Sequence, residues 1–170
     1  NAELPAWYYY AVGSLEQVAL IKSKAQLPTQ APDVRPIGVG NCKRRAWLSE
    51  MVANDSDLFA ETLQPQQFAV GVKSGMQKMY TAINIHTSHP AHKHHVVGGI
   101  DIKNAYQEIE RAEILKAIDS NPRWRHLYPV VWATLSPSCV ISGIPAKSDN
   151  GVIQGDPPAT AEFCIGVHED

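Results

Sequence analysis

Cysteine is scarce in this chain of 170 residues: Cys42, Cys139 and Cys164 stand far apart, with no Cys-x-x-Cys pair. Such spacing excludes a disulfide framework and a cysteine-based structural zinc site. No disulfide-linked partner is expected, and the thiols are read as small, buried, unreactive groups. Long apolar runs are missing as well. None approaches the roughly twenty residues of a membrane span, so no membrane partner is expected. The start, Asn1-Ala-Glu-Leu-Pro5, has neither the basic residues nor the apolar stretch of a secretory signal. An intracellular location is expected, with nucleus and cytoplasm not distinguished. A basic surplus is also absent, since 15 Lys and Arg face 17 Asp and Glu for a net charge of -2. That balance excludes a uniformly basic nucleic-acid coat, although a cleft can be locally positive on an acidic molecule.

What is present is 44% hydrophobic residues, enough for the core of one domain or of two small lobes sharing a cleft. Lys22, Lys24, Arg35, Lys43, Arg44 and Arg45 gather in the first third, and Asp55, Asp57 and Glu61 follow them. The asymmetry suits a lobe that faces phosphate. Leu15, Val18, Ala19 and Ile21 are expected to face inward from a short helix or strand, and Val34 to Val39 to be extended, because Pro36 keeps Arg35 out of the helical region. Trp7 to Tyr10 carry no clean period.

From Lys43 the period turns helical, with Trp47, Leu48, Met51 and Val52 as the apolar stripe, Arg44 and Arg45 on the other side, and Asn54 and Asp55 as the stop. Gln64 to Gly71 reads as a loop. Met76, Met79, Tyr80 and Ile83 then predict an amphipathic helix, capped by Ser74, with its methionines in the core. Ile109, Ala112, Leu115 and Ile118 predict another that ends near Asn121-Pro122, and Trp124 to Leu135 a third, kinked at Pro129. Cys139 to Ser142 is expected as a strand, and residues 159 to 168 as a last helix. His86 to His95 holds five of the seven histidines. No cysteine or acid is spaced to complete a metal site there, so the tract is read as a solvated loop that binds metal only opportunistically.

Two stretches carry chemistry. Val96 to Ile100 reads as a buried strand that brings the carboxylate of Asp101 to its end and then turns through Asn104. About fifty residues later, Gly151-Val-Ile-Gln-Gly-Asp-Pro-Pro158 follows a turn at Ser148 to Gly151, with Gly151 to Gln154 extended. Asp156 is read as the cap of the last helix, ahead of Pro157 at its first position.

The sequence resembles the reverse transcriptases of non-long-terminal-repeat retrotransposons, and more distantly those of group II introns and retroviruses. The likeness runs in collinear order over roughly residues 17 to 168. It is carried by Arg35-Pro-Ile with the paired Arg44 and Arg45, by Gln67-Phe-Ala-Val-Gly71 with Gly75, and by Asp101-Ile-Lys-Asn-Ala-Tyr106 with Arg111. Pro137-Ser138 and Gly151-Val-Ile-Gln-Gly-Asp-Pro157 with Phe163 complete it. The resemblance implies an α+β right-hand polymerase, with fingers over about residues 1–95 and part of a palm over about 96–170, its antiparallel sheet packed on helices.

It also implies RNA-templated DNA synthesis from deoxynucleoside triphosphates on an RNA template and DNA primer, through two Mg²⁺ ions about 4 Å apart. By the resemblance Asp101 is the catalytic metal ligand, and the backbone carbonyl of Ile102 a further one. Arg35 holds the triphosphate, and Tyr106 is the steric gate against a ribose 2′-hydroxyl. Gln154 and Gly155 approach the nucleotide and template, glycine because it lets the backbone come close. Lys22 is either a second triphosphate contact or a solvated lysine, and Arg44 and Arg45 either track template phosphates or form a solvated helix face. The family's aromatic-x-Asp-Asp block is absent, and Glu169-Asp170 lies too near Asp156 to replace it. A fragment or decayed copy, inactive by itself, is the expectation; the alternative is a non-catalytic nucleic-acid- or protein-binding remnant. An RNA-templated RNA polymerase is disfavoured by Tyr106.

Overall fold

The computed structural model describes residues 15–23, 33–135, 139–141, 144–146 and 149–168. Two long strands, β1 (Leu15–Ser23) and β2 (Asp33–Gly40), form an antiparallel ladder from Leu15 opposite Gly40 to Ile21 opposite Val34. The short β3 (Cys139–Ile141) joins β1 in parallel, and β4 (Ile144–Ala146) closes on β3, giving the order β2-β1-β3-β4. Between β2 and β3 runs most of the helical structure. It comprises α1 (Cys42–Asn54), α2 (Ser56–Leu63), α3 (Gly75–Ser88), the single turn α4 (Ala105–Glu108), α5 (Arg111–Ser120) and α6 (Tyr128–Leu135), with α7 (Ala159–Gly166) after β4. The architecture is mixed α+β.

Local chemistry explains most of the boundaries. Asn41 caps α1, its side-chain oxygen accepting from the Arg44 amide at 2.8 Å, and α1 stops at Asn54 as expected. Pro129 lies in the first turn of α6, where its missing N–H costs no intrahelical bond, so it helps to start that helix rather than kink it; the residues before it, Arg125–Leu127, form a 3₁₀ turn.

The core sits among the helices. Phe59 and Leu63 of α2, Ile114 and Ile118 of α5, Trp124, Leu127, Val131 and Leu135, and Ile165 of α7 bury their side chains together. Trp124 also donates its indole N–H to Thr62 Oγ1 at 2.9 Å, which satisfies the polar edge of a buried ring. Of the stripe read from the sequence, Ile118 is fully buried, Ile109 and Leu115 pack partly buried against the core and Ala112 is exposed; Ile114, which the stripe did not include, shares the centre of the buried face with Ile118.

Several expectations are corrected. Val96 to Ile100 forms no strand, and Val96 and Ile100 are more than nine-tenths exposed. Gly151 to Gln154 is a loop, so the antiparallel palm sheet expected on these two segments is not formed; the sheet lies in β1 to β4. Beyond buried Leu15, β1 presents Val18, Leu20 and Ile21 to solvent. Helix α3 exists, but of its expected stripe Met76 and Tyr80 are exposed while Met79 and Ile83 are half-buried, and Ser74 makes no side-chain cap bond. An amphipathic period fixes the helix and its apolar side, whereas burial needs a partner surface. Trp7 to Tyr10, Pro137-Ser138 and Glu169-Asp170 lie outside the described residues.

Core and periphery therefore respond differently to truncation. Ile118→Ala, at a fully buried site, is expected to lower the unfolding free energy by about 2–5 kcal/mol in urea titration. Ile85→Ala on the exposed side of α3 is expected to change it by less than about 0.5 kcal/mol.

Candidate functional site

The cleft is built from three separated stretches of chain. Val34, Arg35 and Pro36 of β2 form one wall, residues 101–107 the other, and Gln154 the floor, around about 410 Å³. Asp101, Ile102 and Lys103 are exposed, and Asn104 takes a left-handed backbone (φ 55°) that reverses the chain into α4. Tyr106, on α4, is half-buried. Its hydroxyl lies 2.9 Å from Thr160 Oγ1 of α7 and its ring packs on Phe163 at 5.2 Å between centroids, so the ring is held from both ends.

The loop carrying Gln154 is fixed at successive points. The amides of Gly151 and Val152 donate to the carbonyls of Ile109 (2.9 Å) and Tyr106 (2.7 Å), and the Gly38 amide donates to the Gln154 carbonyl at 2.8 Å. Arg111 draws the same loop in, donating to the carbonyls of Gly151 (2.8 Å), Asn150 (3.1 Å) and Leu135 (2.6 Å). Gly155 has φ 101°, and a Cβ there would lie 2.8 Å from Ile37 Cγ2 and 2.9 Å from the Gly38 carbonyl oxygen. Its need for glycine is thus met within the protein, by close packing on β2.

Beneath the cleft is a buried polar group of four side chains. Arg44 is sequestered from solvent and makes a two-point ion pair with Asp156 through Nε to Oδ1 (3.3 Å) and NH2 to Oδ2, while NH2 also approaches the Thr134 carbonyl at 3.5 Å. This corrects two expectations. Arg44 cannot track template phosphates, and Asp156 uses its carboxylate on Arg44 rather than as a helix cap. Arg45, one residue on, is exposed.

Glu162 is buried beside this pair. Burial first, and then the charge of Asp156, push its carboxyl up to about 8, against the opposing influence of Arg44, Thr134 and Arg111. Thr134 Oγ1 lies 3.0 Å from the Val131 carbonyl and 3.3 Å from Glu162 Oε1, so its hydroxyl proton is within donating reach of either acceptor. Nothing in the periodicity marks Glu162 as buried. The signal available was its position within the apolar run Ala159 to Ile165.

The sequence-derived residues are thus divided by the fold. Arg35, Asp101, Ile102, Tyr106 and Gln154 all line the cleft, whereas Gly155 packs on β2 and Arg44 is buried. Lys22 belongs to β1, with its side chain outside the described residues. Cys164 is buried, and burial pushes its thiol up to about 11, in keeping with an inert thiol; Cys42 is exposed, contrary to expectation. Among the described residues, His86, His92 and His95 place one ring nitrogen each within 4.8 Å of one another. The tract is not a loop throughout, since His86 lies in α3 and Pro90–His92 is a 3₁₀ turn. Among the described residues no helix is long and apolar enough to cross a membrane. No family model matches the chain, and no curated protein matches it.

Two outcomes follow from the buried group. Removing Arg44 leaves an unpaired carboxylate next to Glu162, so Arg44→Met is expected to cost about 3–5 kcal/mol, and the double change Arg44→Met/Asp156→Leu less than that, in urea titrations. Between the unperturbed value of 4.5 and about 8 the native state keeps a proton on Glu162 that the unfolded chain releases. Native protons exceed unfolded protons in that window, so stability falls as pH rises through it and levels off above it. Glu162→Gln is expected to flatten this slope, as read from urea midpoints across the window.

Proposed function

We propose that the chain is the nucleotide-binding part of a reverse transcriptase, serving RNA-templated DNA synthesis. The observation that carries the reading is the cleft: Arg35, Asp101, Ile102, Tyr106 and Gln154, separated by up to about 120 residues in sequence, line one space. Among the described residues, Arg35 is the one arginine on the wall opposite Asp101. Its planar fork suits the triphosphate of a deoxynucleotide. The Tyr106 ring, held by Thr160 and Phe163, offers the kind of supported wall that exclusion of a 2′-hydroxyl requires. Gln154 offers an amide to the nucleotide. Of the paired arginines, Arg45 is the exposed one and is left to meet template phosphates.

The donor set fits one hydrated Mg²⁺ shared with substrate phosphates, held by the Asp101 carboxylate and the Ile102 carbonyl. A bound Mg²⁺ would neutralise phosphate charge there. Among the described residues that line the cleft Asp101 is the one carboxylate, which does not suffice for a pair of ions. That single carboxylate also supports the second reading, a non-catalytic module retained for contact with nucleic acid or a protein partner.

The test is deoxynucleotide incorporation on a primed RNA template, comparing this chain with a protein extended to the natural end of its reading frame. Under the polymerase reading the extended protein is active with Mg²⁺ and silent after chelation. Asp101→Ala lowers its rate by about 100-fold or more, the scale for losing a group that stabilises transition-state charge. Tyr106→Val raises ribonucleotide use relative to deoxynucleotide by about 10- to 100-fold. Inactivity of both proteins, with primed RNA still bound, would leave the binding module as the function.

A further inference from the structure

We infer that His86, His92 and His95 form a site for a divalent first-row transition-metal ion, with zinc the ion best suited to the ligand set. The inference is independent of the polymerase reading. It rests on how the chain folds back after α3. The His89 amide donates to the His86 carbonyl (3.3 Å) and the His89 ring Nδ1 accepts from the Ala91 amide (3.2 Å), which starts the Pro90–His92 turn. The amides of His92 and His95 then donate to the carbonyls of His89 (2.9 Å) and His92 (2.8 Å). Residues six and nine positions after His86 are thereby returned to it.

Two features of the rings point to a metal. The His92 Nδ1 lies 3.1 Å from the His86 carbonyl, so that nitrogen carries the proton and Nε2 keeps its lone pair. A backbone carbonyl holding one ring nitrogen is the arrangement that orients a metal-bound histidine. His86 Nε2 and His95 Nδ1 are 2.8 Å apart, two basic nitrogens around one proton. An ion that replaces this proton binds both. With metal–nitrogen bonds of about 2.0–2.1 Å, tetrahedral ligands stand roughly 3.3 Å apart, so the spread of up to 4.8 Å must contract. The rings now stack, with interplanar angles of 12–30°, and must turn edge-on to a common ion. His86 and His95 are exposed and His92 half-buried, so that turn displaces no core side chain.

Three imidazoles leave the fourth position to water, and nitrogen ligands favour zinc, nickel or copper over magnesium. Bound there, the ion ties the end of α3 to His95, six residues before Asp101, and restrains the exposed segment between them.

Calorimetric titration of the whole chain with Zn²⁺ tests this, with Co²⁺ absorption reporting ligand geometry. The expected result is one saturable ion per chain with a Kd of about 10 µM or tighter, undisturbed by millimolar Mg²⁺. His92→Ala/His95→Ala should weaken it at least about 100-fold, with circular dichroism unchanged, while His89→Ala/His94→Ala should retain it. Absence of saturable binding, equal loss in both double variants, or persistence of binding in His92→Ala/His95→Ala would each overturn the assignment.

Discussion

The buried pair between Arg44 and Asp156 is the interaction on which the described architecture depends. It joins the first turn of α1, straight after β2, to the loop that enters α7, 112 residues later. A guanidinium and a carboxylate removed from water are costly singly and tolerable together, so their geometry admits little choice. Once they meet, β2, α1 and α7 have a common reference point. Glu162 adds to that constraint, for burial and the nearby Asp156 carboxylate raise its carboxyl to about 8, while the Thr134 hydroxyl lies within hydrogen-bonding distance of it.

The cleft is a consequence of this arrangement. Residues 149–158 cannot drift, because Arg111, the carbonyls of Tyr106 and Ile109, the Gly38 amide and Arg44 each take hold of a different part of them. Gln154 is therefore held between β2 and α4, and Tyr106 is held by α7. By contrast, Asp101 comes from an exposed, irregular stretch just ahead of the left-handed turn at Asn104. The cleft thus joins a firmly supported wall to a lightly supported carboxylate. Substrate phosphate and a metal ion are groups that would order such a carboxylate on binding.

Exposed apolar surface has a similar logic. Met76 and Tyr80 of α3 and the apolar residues of the run Val96 to Ile102 are of the kind that buried elements carry, yet they face solvent here. Hydrophobic period reports what a segment is suited to bury against, not whether that surface is supplied within these residues. The histidine tract shows the reverse case. Its residues look unstructured in one dimension, and backbone turns around Pro90 gather them in three.

Short-range chemistry was legible in the sequence. The period of α1, its stop at Asn54, the helices around Ile118 and Ile165, the proline-enforced extension at Arg35 and the short strand at Cys139 all follow from residues close to one another in the chain. The grouping of Arg35, Asp101, Tyr106 and Gln154 was an expectation of the family resemblance alone, since no local pattern brings residues so far apart in sequence together. Only tertiary structure decided the rest. Which of two adjacent arginines points inward, whether Gly155 faces β2 or the cleft, that Glu162 is dry, and that Val96 to Ile100 remains unpaired depend on partners more than fifty residues away or on their absence from the described surface. Desolvation and pairing are properties of the assembled environment, and a sequence pattern specifies a side chain's chemistry before it specifies its neighbours.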